Sequence, residues 1–267
     1  DHPVAVIDEI QKLPALLDEV HRLIEKEGKT FLLTGSSARK LKKGGGNLLG
    51  GRARSAYLYP LTSAEIPDFN LGRYVNIGGL PFIHNSDDTW GDLREYVNLY
   101  LKEEIQAEAA VRRLDHFARF LDVMGLSSGK EINIATVSSE SGVPARTVSN
   151  YLEILRDTLL AFELSPFGRT KKRKASAKSK WYLFDVGVAN YLAGRKDLVP
   201  RSAAFGEAFE HFIIQEIRSV AGYKKHEAPL QYWRADDFEV DLVVGDEMAV
   251  EIKSTEQVQD YHLRGLR

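Results

Sequence analysis

The chain has 267 residues, 43% of them hydrophobic, enough for one large globular core or several small ones. Its 36 Lys and Arg stand against 38 Asp and Glu, and the net charge of −2 gives no global pull toward nucleic acid. The absence of cysteine excludes disulfides and thiolate metal sites, and no apolar run is long enough to span a membrane. The opening Asp1-His2-Pro3 does not begin a signal peptide, so a cytoplasmic protein without membrane contact is expected.

In chain order, Pro3-Val4-Ala5-Val6-Ile7 is a short β-branched run that predicts a buried strand, ending at Asp8-Glu9. Residues 14–26 carry Leu16, Leu17, Val20, Leu23 and Ile24 at helical spacing, with Gly28 as the stop. Phe31-Leu32-Leu33-Thr34 predicts a second buried strand, and the strand–helix–strand order implies a parallel pair covered by helices. Residues 44–51 read as a loop and Tyr57-Leu58-Tyr59 as another short strand. Residues 93–122 are mostly helical in pattern, with Phe117, Phe120, Leu121 and Met124 on the apolar side. Residues 131–164 divide into two short helices at Gly142-Val143-Pro144. Strand-like segments at 162–164 and 181–184 flank the basic run RTKKRKASAKSK of residues 169–180. A helix over 204–220 and strands at 231–233, 240–244 and 248–252 complete the chain, which has no internal repeat.

An apolar strand ending in Asp-Glu suits nucleotide hydrolysis: the Asp holds Mg²⁺ and the Glu polarises the attacking water. The hexapeptide alone also fits a strand followed by a helix cap. Further on come Phe31-Leu32-Leu33-Thr34-Gly35-Ser36-Ser37, Gly51-Arg52 and Tyr59-Pro60-Leu61-Thr62-Ser63-Ala64-Glu65. In this order and spacing the chain resembles the prokaryotic AAA+-type ATPases, and the resemblance runs through Gly78-Gly79-Leu80-Pro81 to Glu251-Ile252-Lys253. It implies ATP and Mg²⁺ as cofactors, Asp8 as the Mg²⁺-associated acid, Glu9 as the catalytic acid, and Thr34 or Ser36 as the γ-phosphate sensor. It also implies that Arg52 is an arginine finger reaching a neighbouring subunit in a homo-oligomer; read alone, Arg52 is also an ordinary surface residue. No G-x-x-x-x-G-K-[ST] phosphate loop is present: with Gly45 and Gly50 in the glycine positions, Gly51 and Arg52 stand where Lys and Ser/Thr are needed. In the family that loop precedes the acidic motif, so this stretch is expected to bind ATP weakly or not at all by itself.

Residues 135–144 resemble the first helix and turn of a helix-turn-helix, with 146–160 as the second helix. Val148, Leu152, Leu155 and Leu159 form the expected buried stripe. Arg146, Ser149 and Asn150 then face outward toward DNA bases, and Lys171, Lys172, Arg173 and Lys174 form a wing near phosphates. A winged helix used for protein packing, with a solvated lysine loop, fits the same residues, and Glu153 and Asp157 on the second helix would repel phosphate.

At the C-terminal end Glu207 and Glu210 share a helix face. The turn signal Gly245-Asp246 closes a hairpin that places Asp241 opposite residue 250 or 251. Glu251 and Lys253 share a strand face. Burying two acids and a lysine together is costly unless a cation pairs them. The arrangement D-x₉-E-x-K resembles PD-(D/E)xK nucleases, which implies Asp241, Glu251 and Glu210 as metal ligands and Lys253 as a catalytic group, with Glu207 the weaker alternative to Glu210. A solvated hairpin with incidental charges is the bland alternative. The fold normally continues beyond the point where this sequence stops.

The expected fold class is thus α/β and multidomain: a partial parallel-sheet AAA+ core (1–70), a helical lid (71–125), a winged helix (126–200) and an α/β restriction-endonuclease-like domain (201–267). The expected function is ATP-dependent action on or near DNA. Its rivals are a nucleotide-regulated binding protein with a degenerate nuclease fold, and a DNA-binding regulator without catalysis.

Overall fold

The computed structural model describes residues 4–35, 53–101, 113–168, 178–235 and 238–266. Six expected site residues, Ser36, Arg52, Lys171, Lys172, Arg173 and Lys174, lie outside these ranges. Among the described residues no helix is long and apolar enough to cross a membrane.

Strands β1 (Val4–Ile7) and β2 (Thr30–Leu33) pair in parallel, Val4 beside Thr30 and Ile7 beside Leu33, and α1 (Leu16–Glu27) connects them. Gly28 ends α1 in the left-handed region at φ +62°, donating its N–H to the Ile24 carbonyl at 3.2 Å. The strands are less buried than their apolar sequences predict. Val4, Val6 and Leu32 are all more than half exposed.

The strand expected at residues 57–59 does not form. Tyr59 donates its N–H to the Tyr223 hydroxyl at 3.2 Å rather than to a neighbouring strand. Thr62 and Glu65 close a reciprocal capping box, and the Tyr74 hydroxyl donates to the Leu61 carbonyl at 2.6 Å. Helices α2 (Leu71–Ile77), α3 (Pro81–His84) and α4 (Thr89–Glu95) follow. The helix expected over 93–122 is broken: after α4 come π-helical turns over Tyr96–Leu101, and α5 spans Leu114–Leu126.

Helices α6 (Ile134–Ser141) and α7 (Ala145–Asp157) meet at Gly142, at φ +65°. Val148, Leu152 and Leu155 are buried as the 3.6-residue period requires, with Tyr151 and Ile154 beside them. Leu159 does not join this stripe. The helix closes at Asp157, and Leu159, at φ +62°, is 43% exposed. A single apolar core then links α4, α5, α6 and α7 through Leu93, Phe117, Phe120, Met124, Val137, Val148 and Leu155.

Strands β3 (Lys130–Glu131), β4 (Ala161–Pro166) and β5 (Lys180–Leu183) precede α8 (Val186–Leu192) and the long α9 (Ala203–Tyr223). Strands β6 (Leu230–Ala235), β7 (Phe238–Val244) and β8 (Met248–Val250) follow. These strands form one six-stranded sheet in the order β3-β5-β4-β6-β7-β8. The β4–β6 pair is parallel, Ser165 beside Gln231, and joins the hairpin after α7 to the C-terminal strands. Phe162, Leu164 and Tyr182 from that hairpin share a core with Ile214, Tyr232 and Leu242. The architecture is therefore mixed α/β, with a small parallel sheet and a larger mixed one.

Asp185 ties this body together. It is fully buried, and its carboxylate accepts the N–H groups of Gly79 (2.8 Å), Gly187 (2.9 Å) and Val188 (3.1 Å). Burial raises its pKa to about 6, against the lowering effect of those amides. A carboxyl whose folded pKa lies above its ordinary value stabilises fully below that ordinary value and loses the contribution as pH rises through about 6. Asp185→Asn is expected to flatten this fall. Urea unfolding at pH 4 and pH 7 checks it, and an unchanged difference between the two pH values would refute the assignment.

Candidate functional sites

At the open end of the two-stranded sheet, β1 delivers Asp8 and Glu9 next to Thr34, the residue after β2. The Thr34 hydroxyl donates to Asp8 Oδ1 in a short hydrogen bond and accepts the Glu9 N–H at 3.3 Å. The strands are held in register there, since Thr34 N donates to the Ile7 carbonyl (3.0 Å) and Ile10 N to the Thr34 carbonyl (3.1 Å). Glu9 occupies the left-handed region at φ 54°, a conformation rare for a residue with a side chain. Its carboxylate accepts from Gln11 Nε2 at 2.5 Å, and Gln11 is itself buried. Gln11 belongs to the Asp-Glu-x-Gln pattern but draws no notice as a site residue, because a glutamine two residues from an acid has no chemistry of its own. Its amide holds the Glu9 carboxylate through this contact.

On the second helix of the helix-turn-helix-like pair, Arg146 and Asn150 are exposed. Ser149 is half-buried, with its hydroxyl bonded back to the Ala145 carbonyl at 3.2 Å. Glu153 is exposed on the same helix.

The C-terminal hairpin turns at Gly245, φ +50°, and pairs Leu242 with Val250, so Asp241 and Glu251 are the next residues along the two facing chains. They meet at one ammonium: Lys253 Nζ is 2.6 Å from Glu251 Oε1 and 3.3 Å from Asp241 Oδ2. Asp241 Oδ2 also accepts the Ile252 N–H at 2.7 Å. Burial works against charge on Lys253, but Glu251 and Asp241 outweigh it and raise its pKa. Burial raises the pKa of Glu251, with Lys253 opposing, and Glu251 Oε2 is buried without a hydrogen-bond partner.

Glu210 does not join this pair. Its Oε1 accepts from the Tyr182 hydroxyl at 2.8 Å and lies 3.5 Å from Lys180 Nζ. Lys180, buried at the start of β5, makes a second and shorter ion pair with Glu239. The desolvation that depresses Lys180 is outweighed by Glu210 and then Glu239, so its pKa is raised. Glu207 points elsewhere and pairs with Arg195 at 2.6 Å. Among the described residues no three acids or histidines surround a common point. In this arrangement the Lys253 ammonium bridges Asp241 and Glu251, and Tyr182 and Lys180 hold Glu210. Sequence reading missed Lys180, Tyr182 and Glu239, because Lys180 sits at the end of a basic run that reads as a solvated wing.

Residues 1–67 match the AAA domain family. Residues 68–198 and 205–267 match two domains of unknown function, DUF8612 and DUF4143. An uncharacterized protein of Mycobacterium tuberculosis is 26% identical over 261 residues, covering 93% of this chain and 58% of the relative. An uncharacterized protein of Methanocaldococcus jannaschii is 24% identical over 264 residues, covering 89% and 57%. One of Haemophilus influenzae is 22% identical over 231 residues, covering 79% and 56%. The chain thus spans little more than half the length of these relatives. No solved structure matches it. The AAA match supports an AAA-type, nucleotide-binding ATPase-like relationship.

Proposed function

We propose that this chain belongs to a nucleotide-hydrolysing AAA-type protein, in which Asp8 associates with Mg²⁺, Glu9 activates water and Thr34 senses the γ-phosphate. The observation that carries this reading is the Thr34 hydroxyl bridging the two strand ends to Asp8. It links an acid to a polar residue on the neighbouring parallel strand, where open α/β sheets bind ligands. Asp8 is exposed and offers hard oxygen, which suits Mg²⁺. When bound, that ion screens the phosphate charge. Asp8 would orient it, and Gln11 would keep Glu9 directed at the water. Phosphate release from MgATP by the full-length protein tests the reading: Asp8→Ala should abolish it, and undiminished turnover would refute it.

For the C-terminal lobe we favour the reading of a degenerate nuclease-like fold, supported by Lys253 bridging Asp241 and Glu251. Lys253 already pairs with Asp241 Oδ2 and Glu251 Oε1, so a divalent ion would have to displace this ammonium to reach those oxygens. These residues do not fit a resident metal as they stand. Calorimetric titration with Mn²⁺ is expected to give no saturable heat, with wild type and Asp241→Ala alike. Stoichiometric binding lost in Asp241→Ala would restore the metal-dependent alternative.

A further inference from the structure

Arg218 is set apart from the other partly buried cations of the C-terminal lobe. Lys180, Arg195, Arg234 and Lys253 each meet a carboxylate. Arg218 has no carboxylate or hydrogen-bond partner among the described residues. Its guanidinium lies instead between two rings, 4.4 Å from the centroid of Phe162 and 4.9 Å from that of Tyr59. None of its nitrogens is both sealed from solvent and unpaired. The acid two residues earlier on α9, Glu216, is committed to Ser63, accepting from its N–H at 3.0 Å and its hydroxyl at 2.5 Å.

The rings are firmly placed. Tyr59 is held edge-on by Tyr223, with centroids 5.3 Å apart, and its backbone N–H is bonded to the same tyrosine. Gly222 lies flush against Tyr59, and a Cβ there would overlap the ring. Phe162 is buried in β4 and stacks on Tyr182. Cation–π contact with ring faces satisfies the charge of a guanidinium in part and uses none of its N–H groups, which remain able to make bonds. Desolvation of this kind without a counter-ion disfavours the charge, and an arriving anion relieves it. A planar fork fixed in this way suits bidentate contact with tetrahedral oxyanions. Tyr57, two residues before Tyr59, is 55% exposed. Arginine beside exposed aromatic rings is how single-strand binders combine phosphate contact with base stacking.

We propose that Arg218, held between Tyr59 and Phe162, is a binding residue for the phosphate group of a nucleotide or polynucleotide. The proposal does not depend on the assignment of Asp8 and Glu9. The test is fluorescence anisotropy of a labelled single-stranded oligo(dT) of about 15 nucleotides, a length that spans such a site. Inorganic phosphate, ATP and a poly-glutamate peptide serve as competitors, with wild type, Arg218→Lys and Arg218→Met compared. Arg218→Lys keeps the charge and loses the fork, and about tenfold weaker binding with unchanged melting temperature is expected. Arg218→Met should lower the dependence of log K on log salt by about 0.7, the value of one single-strand phosphate contact. Arg218-dependent binding of the oligonucleotide identifies a polynucleotide; Arg218-dependent binding of a fluorescent ATP with no oligonucleotide binding identifies a free nucleotide. Wild-type levels of binding in the folded Arg218→Lys protein would overturn the proposal. So would failure of wild type to bind oligo(dT), phosphate or ATP, or Arg218-dependent binding of poly-glutamate only.

Discussion

Replacing Glu9 by Gln is expected to lower ATP turnover by the full-length protein by roughly 10²–10⁴-fold, the range contributed by a positioned general base. The substitution keeps the size of the side chain and an oxygen able to accept from Gln11 Nε2, so the 2.5 Å contact that holds it can persist. What is lost is the negative charge that draws a proton from water. ATP should remain bound, because Asp8 and Thr34 are untouched and make their own contact. Single-turnover phosphate release with equilibrium binding of a fluorescent nucleotide separates the two effects. A variant that loses affinity and turnover in parallel would place Glu9 in binding and remove it from chemistry.

The second large effect concerns Lys180. Lys180→Met is expected to destabilise the fold by about 3–5 kcal/mol, the usual consequence of removing one member of a buried ion pair. The lysine side chain is only 6% exposed, and without it Glu210 keeps the Tyr182 hydroxyl but no cation, while Glu239 keeps only Arg234. The deficit should shrink at acid pH. Burial already raises the pKa of Glu210, with Lys180 restraining the rise, so the variant should protonate that carboxyl more readily still. Thermal melts at pH 5 and pH 8 check both statements, with the larger loss expected at pH 8. A loss of under about 1 kcal/mol at pH 8 would mean that the pair behaves like a surface contact.

Features read well from sequence were local ones. A β-branched run ending in two acids gave a strand carrying Asp8 and Glu9, and Thr34 proved to sit at the end of its parallel neighbour. The Gly245 turn determined that Asp241 and Glu251 would approach, since hairpin register follows from turn length. Long-range pairings were opaque. Nothing in Ser165 or Gln231 announces that they lie side by side in a parallel ladder, because that pairing depends on the packing of everything between them. Tyr57-Leu58-Tyr59 alternates like a strand, yet its conformation is determined by α9, where Tyr223 captures the Tyr59 N–H. Glu210 shows the same limit at the candidate site. Helical spacing placed it on the right element, but Tyr182 and Lys180 decide where its carboxylate goes.

The parallel β4–β6 pair also bears on how such a chain can evolve. Severing the polypeptide between α8 and α9 leaves two raw strand edges, one on each fragment, and strips Phe162 and Leu164 of their apolar neighbours Ile214 and Leu242. Unpaired edges of this kind recruit other chains and aggregate. An exchange that carries the β4–β5 hairpin along with the C-terminal strands keeps this pairing and this core, so hairpin and strands form one structural unit, larger than the stretch that looks self-contained along the sequence.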